Sequence, residues 1–466
     1  MTPEVPDLSR QRRIHVVAAG GAGMSAIATL LVQQGHVVSG SDQRDGEALR
    51  RLSEIGVSTQ VGHRTDNVAD AEMLVVSTAV SDDNIELLEA SRRGIPVLRR
   101  IDLLPALAQV QPFLSVTGTH GKTTTTSMLA VALDSIGADP SFLIGAMVSR
   151  LGAAAGYRPG AYLVLEADES DGSFMAGPRC GAILTNVEAD HLEFWGSWES
   201  LKAGFRRFLI ETDGPRVVCA DDAVAMEVAA GLDVVTYGTS AGSTYRMADV
   251  VTTGLSSTFT LVGPGLRLQV NLAVPGLHNA TNASGALAMV GALGMDVAAA
   301  AVGLSQFTGV ARRFESRGQR AGVQFVDDYA HLPTEVRAAL AAARGGGWGR
   351  VVATFQPHRY SRTEALWAEF ADAFVDADVL VLTDIYPAGE EPRPGVTGRL
   401  LYDAVRSAHP SARVIWQPGL GDAARYLAGE LRDRDMCISI GAGDVTTLAD
   451  LVKAQMSDTG VADTDV

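Results

Sequence analysis

A short apolar run, Phe113–Val116, leads into Thr117-Gly118-Thr119-His120-Gly121-Lys122-Thr123-Thr124-Thr125, and Ser127–Leu133 then continues as the start of a helix. A strand that passes through a glycine turn into a helix is a phosphate-gripping arrangement. Gly118 and Gly121 let the backbone turn tightly, so several N–H groups can face one anion beside the helix N-terminus. Lys122 adds a mobile charge for β- and γ-phosphates, and the Thr123 hydroxyl is placed to ligate Mg2+. The common phosphate loop has four residues between its glycines and this one has two, so the general pattern is not met. The alternative is a threonine-rich loop that only caps a helix. The favoured reading is an ATP site built from Gly118, Thr119, His120, Gly121, Lys122, Thr123 and Thr124.

Strand-like and helix-like runs alternate along the whole chain, which predicts an α/β protein with parallel sheets and helices on both faces. Its 466 residues give room for about three domains. The expected division is 1–111, 112–312 and 313–466, with a polar, disordered tail after residue 454. A formal charge of −16 argues against nucleic acid or an anionic membrane as a partner, since both reward clustered Lys and Arg. Cys180, Cys219 and Cys437 are widely spaced, which suits a reducing compartment rather than a disulfide framework. Met1–Arg13 lacks the apolar core of a secretory signal, and Ala280–Leu304 carries Asn282 and Asp296 and is broken by Gly291 and Gly294, where a membrane span would be uniformly apolar. A cytoplasmic protein without membrane insertion is therefore expected. The sequence leaves its oligomeric state open.

The first block opens with a strand at Ile14–Ala18, a turn through Gly20, Gly21 and Gly23, and a helix over Met24–Gln34. Asp42 follows about twenty residues later, as in a dinucleotide fingerprint. The spacing Ala18-Ala19-Gly20-Gly21-Ala22-Gly23 is not a clean match. The reading is a nucleotide or diphosphate at the helix N-terminus with Asp42 on a ribose; glycines serving close packing alone are the alternative. The second block is more specific. Tyr162–Leu165 ends in Glu166-Ala167-Asp168-Glu169, and Ile183-Leu184 runs into Thr185-Asn186-Val187-Glu188-Ala189-Asp190-His191. Ligands collect at the carboxyl ends of strands in open parallel sheets. Both clusters can therefore converge on the phosphate loop, with Glu166 and His191 as the best candidates for metal ligands; for any single one, a solvated loop side chain is the alternative.

Taken in order, Gly118–Thr124, Glu166–Phe174 and Thr185–His191 resemble the Mur ligases of peptidoglycan synthesis. Further stretches extend the resemblance over about residues 12–452. They are Gly20–Ser25, Ser39–Asp42, Pro275–Asn279 with Asn282, Phe307–Phe314, Asp327–His331, Phe355–Thr363, Asp384–Pro394 and Gly441–Asp444. Within the family, the similarity is greatest to members that join L-alanine to UDP-N-acetylmuramate. The resemblance implies a Rossmann-like N-terminal domain for the uridine nucleotide, a central P-loop ATPase-like domain and a Rossmann-like C-terminal domain for the amino acid.

It also implies roles. Lys122 holds the β/γ-phosphates, Thr123 and Glu166 one Mg2+, and His191 a second metal. Arg313 contacts the γ-phosphate, Asp328 the ATP ribose, and His278, Asn279 and Asn282 lie near adenine. The uridine substrate falls to Gly20, Gly21, Gly23, Met24, Ser25, Asp42, Ser77 and Thr78, and L-alanine to His331, Arg359 and Arg362. Two positions depart from the family pattern: Ala18 replaces the first glycine of the turn, and Leu332 replaces a second histidine. A ligase that attaches a preformed murein tripeptide and a catalytically silent nucleotide-binding regulator are the alternative functions. Sister ligases carry a carbamylated lysine near Lys202; with Arg206 and Arg207 further on, no modification is assigned.

Overall fold

The computed structural model describes residues 5–77, 79–170 and 172–456. Among the described residues the strands form three sheets. The first has five parallel strands in the order β3-β2-β1-β4-β5, drawn from β1 (Arg13–Val17), β2 (Val37–Asp42), β3 (Ser58–Val61), β4 (Met73–Val76) and β5 (Val97–Arg99). This is the strand order of a doubly wound dinucleotide-binding sheet without its sixth strand.

The second sheet contains β6 (Phe113–Thr117), β7 (Ser141–Val148), β8 (Ala153–Gly156), β9 (Leu163–Glu166), β10 (Arg179–Leu184), β11 (Arg216–Cys219), β12 (Val235–Gly238), β13 (Tyr245–Thr253), β14 (Ser256–Gly263) and β15 (Leu266–Leu272). Its order is β15-β14-β13-β12-β11-β10-β6-β9-β7-β8. The phosphate-loop strand β6 lies between β10 and β9, parallel to both. Phe113, Leu114 and Val116 are fully buried, as a strand covered on both faces requires.

The third sheet comprises β16 (Glu315–Arg320), β17 (Val323–Asp328), β18 (Arg350–Phe355), β19 (Val379–Leu382), β20 (Val414–Trp416) and β21 (Asp435–Ile440), in the order β16-β17-β21-β18-β19-β20. Only the edge strand β16 runs antiparallel to its neighbour among the pairings described.

The chain separates into two compact units: 1–248 with 260–270 and 281–307, and 249–259 with 271–280 and 308–466. The first sequence block and most of the second fall in one unit because their cores merge, while 249–259, 271–280 and 308–312 of the second go with the other. Ile14, Val16 and Leu30 belong to the same apolar cluster as Phe113, Leu143 and Leu165. The helix Lys122–Ser135 is buried all round from Thr123 to Leu133, so it lacks the polar stripe of a surface helix. It packs against the helix Val297–Leu304, whose Gly303 comes so close that a Cβ there would overlap the Ser135 side chain. This explains the small residues there: they permit close helix contact.

Several element boundaries differ from expectation by one to five residues. Ala18 is not in β1 but in the left-handed region, φ +59°, and the phosphate-loop helix starts at Lys122, not Ser127. The strands β13–β15 were not expected. In β13 and β15 buried and exposed positions largely alternate with polar side chains outward, so neither shows the continuous apolar run of a two-sided strand. Residues 457–466, most of the expected tail, lie outside the described residues, and the helix Leu448–Gln455 reaches residue 455.

Candidate active site

Two turns of the phosphate loop need glycine. Gly118 has φ +132°, and a Cβ there would collide with Thr185 Oγ1 and lie 2.8 Å from the Asn186 carbonyl oxygen. Gly121 has φ +78°, and its missing Cβ would sit 2.7 Å from Asn282 Oδ1. The loop is tied to the end of β10. The Thr119 N–H donates to the Asn186 carbonyl (3.1 Å), the His120 N–H donates to Asn186 Oδ1 (2.8 Å), and the Glu188 N–H donates to Thr119 Oγ1 (2.8 Å). His120 Nε2 lies 3.1 Å from Glu188 Oε2. The expected convergence of the β10 end on the loop is therefore present.

So is that of the β9 end. Thr123 Oγ1 donates to Glu166 Oε1 at 2.8 Å, and Glu166 Oε2 accepts the Gly145 N–H at 2.6 Å. Lys122 Nζ donates to the carbonyls of Gly118 (2.8 Å) and Thr119 (3.2 Å) and pairs with the Glu169 carboxylate at 2.8 Å. Asp168 Oδ1 is 4.0 Å away. Burial works against the lysine's charge, but the Glu169 and Asp168 carboxylates outweigh it and hold the ammonium above its ordinary pKa. Burial pushes the Glu169 carboxyl up, against the pull of Lys122. Asp168 is also desolvated, yet Lys122 and the Ser170 N–H bring its carboxyl below the usual range.

His191, in the left-handed region at φ +52°, opens the short helix Leu192–Trp195. Its imidazole lies 3.5 Å from Asp190 Oδ2 and 3.6 Å from Glu193 Oε1. Among the described residues no group of three or more His, Cys, Asp or Glu side chains is gathered to hold a metal by itself. The Thr123 hydroxyl and Glu166 carboxylate are nonetheless hard oxygen donors, and Mg2+ takes one or two such groups and completes its shell with phosphate and water. The residues present fit that ion. Lys202, near the position modified in sister ligases, is paired with Glu199 and Glu227, each at 3.1 Å.

The chain matches the Mur ligase family, catalytic domain, over residues 13–111, the Mur ligase middle domain over 116–290, and the Mur ligase, glutamate ligase domain over 312–443. It is 42% identical over 453 residues to a UDP-N-acetylmuramate–L-alanine ligase of Desulforamulus reducens, covering 95% of this chain and 98% of the relative. The same-named ligase of Kineococcus radiotolerans is 45% identical over 456 residues, covering 95% and 96%. The chain belongs to the Mur ligase family. A crystal structure of the UDP-N-acetylmuramate-alanine ligase of Thermotoga maritima superposes with a TM-score of 0.80 at 28% identity, over 96% of this chain and 99% of that one. A murein peptide ligase of Psychrobacter arcticus shares the fold, with a TM-score of 0.66 at 22% identity over 97% and 100%. Mur ligases are ATP-dependent. No helix among the described residues is long and apolar enough to cross a membrane.

At the N-terminal sheet of this Mur ligase, the helix Ala22–Gln33 begins at Gly21, and Ser25 Oγ returns to the Ala22 carbonyl at 3.0 Å. Met24 is buried beneath it. Asp42 closes the turn: Oδ2 accepts the Gly20 N–H at 3.0 Å and Oδ1 the Arg44 N–H at 3.1 Å. Ser77 caps its own loop by accepting the Ala79 N–H at 3.3 Å; Thr78 lies outside the described residues.

Sequence reasoning missed two residues here. Arg100 Nη1 stands 3.3 Å from where a Gly23 Cβ would be, bringing positive charge to the helix N-terminus. Glu86 is wholly buried at the carboxyl end of β2, accepting from Ser41 Oγ (2.7 Å) and Asn67 Nδ2 (2.6 Å) and lying 2.9 Å from His63 Nδ1. The signal for Glu86 was local: Asn84 caps its backbone N–H at 2.9 Å, which marks a helix start rather than a site.

The other compact unit holds a second cluster. Asp328, at the end of β17, accepts the N–H groups of Phe314 (2.7 Å) and Ala330 (2.8 Å), and burial lifts its carboxyl to about 6 despite Arg313 and these donors. Arg313 lies over the Tyr329 ring, 5.0 Å from its centroid, and 3.9 Å from Glu335 Oε1. His278 is pushed down to about 4 by burial and by the Arg313 charge. Asn279 Nδ2 donates to the Pro275 carbonyl at 2.7 Å.

His331 lies 6.0 Å, ring to ring, from His358, which stacks on Tyr386 at 5.7 Å. Arg362 Nη1 reaches His358 Nδ1 at 3.1 Å. Arg359 has φ +69°, and its buried Nε has no hydrogen-bond partner. His331 and Arg362 thus meet at His358, whose imidazole also feels the Arg359 charge. Leu332 is buried where the helix Pro333–Gly345 starts, its N–H donating to Glu335 Oε2 at 3.2 Å. Its backbone serves the helix cap there.

Proposed function

We propose that this Mur ligase joins L-alanine to the lactyl carboxylate of UDP-N-acetylmuramate in the cytoplasm, as a step of peptidoglycan precursor synthesis. The reading rests on one observation above others: Lys122, Thr123 and Glu166 converge at a short phosphate loop in a chain 42–45% identical, over nearly its full length, to ligases of that name. Residues 1–111, 112–312 and 313–466 would supply the uridine-nucleotide, ATP and amino-acid sites respectively.

The γ-phosphoryl group of ATP passes to the carboxylate oxygen, giving an acyl phosphate and ADP. The alanine amine attacks the acyl carbon, and the tetrahedral intermediate expels inorganic phosphate and loses a proton to yield the amide. Lys122 neutralises the β/γ-phosphate oxygens, the loop N–H groups orient them, and Arg313 meets the γ-phosphate. Thr123 and Glu166 would hold one Mg2+ and His191 a second; bound there, the ions neutralise charge on the phosphate and carboxylate oxygens. Asp328 takes the ATP ribose, and His278, Asn279 and Asn282 the adenine. His331, Arg359 and Arg362 take the alanine, the guanidinium groups clamping its carboxylate. Gly20, Gly21, Gly23, Met24, Ser25, Asp42, Ser77 and Thr78 serve the uridine diphosphate.

The test is phosphate release from ATP with UDP-N-acetylmuramate, with and without L-alanine. Alanine-dependent release that Lys122→Ala abolishes supports the reading. Release only with a murein tripeptide reassigns the chain to the recycling branch, and no release with either favours the silent regulator.

A further inference from the structure

The Lys122 ammonium has three N–H donors, and the structure commits all of them. Two go to the Gly118 and Thr119 carbonyls and the third to Glu169 Oε1 at 3.0 Å, with Oε2 of the same carboxylate 2.8 Å from the nitrogen. A phosphate oxygen can gain this ammonium only by replacing one of these partners. The two carbonyls belong to the loop backbone, whose path is set by Gly118 at φ +132° and by the Asn186 contacts. Glu169 is the side-chain partner, and so the exchangeable one. Its own backbone is fixed, because the Trp195 indole N–H donates to its carbonyl at 2.9 Å and that indole packs edge-on against Phe174 and Phe194. Its side chain is 2% exposed, so water screens the pair poorly.

We propose that Glu169 is a positioning residue that competes with nucleotide phosphate for Lys122 and thereby holds down the affinity of the loop. This rests on the reading of residues 118–124 as the ATP site. When a β- or γ-phosphate takes the ammonium, the displaced carboxylate stays beside a like-charged ligand. When phosphate leaves, Glu169 recaptures the lysine. The carboxylate thus sets how tightly phosphorylated ligands bind, without touching them.

Calorimetric binding of ADP and adenosine to the full-length wild type, Lys122→Ala, Glu169→Gln and Glu169→Asp tests this. Glu169→Gln keeps an acceptor for the lysine and removes the competing charge. Its Kd for ADP is expected to fall roughly fivefold, with adenosine unchanged because it carries no phosphate. Glu169→Asp keeps the charge but draws it back by one methylene, so ADP tightens by a smaller factor. A purely structural glutamate would instead weaken both ligands and lower the thermal midpoint. ADP affinity unchanged or weakened in a folded Glu169→Gln overturns the proposal, and if that variant does not fold, the same outcome in Glu169→Asp overturns it. Should Lys122→Ala leave ADP binding intact, the ATP-site reading itself fails. Loss of binding in Lys122→Ala without tightening in the Glu169 variants removes only the competition.

Discussion

Thr123 and Glu166 meet at 2.8 Å across two neighbouring strands. The contact follows from register: Val116 of β6 pairs with Glu166 of β9 in a parallel ladder, so the carboxylate at the end of one strand faces the loop that leaves the other. A hydroxyl and a carboxylate held this way form a pair of oxygen donors beside the lysine. Glu166→Gln preserves the shape and removes the charge. Turnover is expected to fall roughly 100-fold or more, with a shift to higher Mg2+ demand, while ADP binding measured without Mg2+ stays near wild type. Steady-state rates over a Mg2+ titration check this; an unchanged Mg2+ dependence would remove Glu166 from the metal site.

Gly118→Ala is a backbone test. At φ +132° an alanine is strained by about 1–3 kcal/mol, and its Cβ also collides with Thr185 Oγ1. The loop must move to relieve both. The expected result is a lower thermal midpoint together with ADP binding lost by at least an order of magnitude. Retained stability and affinity in Gly118→Ala would show that the loop tolerates another path.

How much could be read beforehand differs between parts of the chain. The loop and the contact of Glu166 with it were legible because apolar runs ending in glycine or carboxylates mark the carboxyl ends of buried strands. Glu169 was not singled out: in sequence it is one acid among several, and only the fold shows that it, not Asp168, reaches Lys122. Arg100 and Glu86 act through contacts across the first sheet that no local pattern encodes. The strands β13–β15 escaped because one-sided strands with polar outer faces carry a weak signal. The compact unit that merges the first block with most of the second reflects a core assembled from residues about 150 positions apart, such as Val16 and Leu165.

Glu86 gives a stability prediction with a definite sign. Burial alone would raise its carboxyl, but the His15 imidazole 3.6 Å away and hydrogen bonds from Ser41 and Asn67 bring it down to about 2 from the ordinary 4.5. A carboxylate with a folded pKa below its unfolded value stabilises the fold above pH 4.5, and that contribution is lost as pH falls toward 2. It amounts to about 3 kcal/mol at neutral pH. Denaturant unfolding of wild type and Glu86→Gln at pH 7 and pH 3 should therefore show a stability gap at pH 7 that narrows at pH 3. A gap of equal size at both pH values would assign the loss to packing.

The grouping around His358 decides how the amino acid is held. Arg362 donates to His358 Nδ1 at 3.1 Å, which leaves the ring proton on Nε2. Burial and the neighbouring Arg362 hold this imidazole down at about 4, so it is neutral at any working pH. Burial also lowers His331, with Glu335 opposing. Two neutral rings and two guanidinium groups favour a carboxylate over a cation. Arg359 adds a buried Nε without a partner, whose desolvation an incoming carboxylate would offset. Replacing either arginine by alanine removes one charge-assisted contact of about 1.5–3 kcal/mol. KM for L-alanine is therefore expected to rise roughly 10- to 100-fold, with KM for ATP within about twofold of wild type. Arg362→Ala should also free His358 Nδ1, raising the imidazole pKa, since the lost guanidinium no longer repels a proton there; an NMR titration of the ring follows it. If KM for ATP rose and KM for L-alanine did not, these arginines would belong to the nucleotide, and the amino-acid site would have to lie elsewhere.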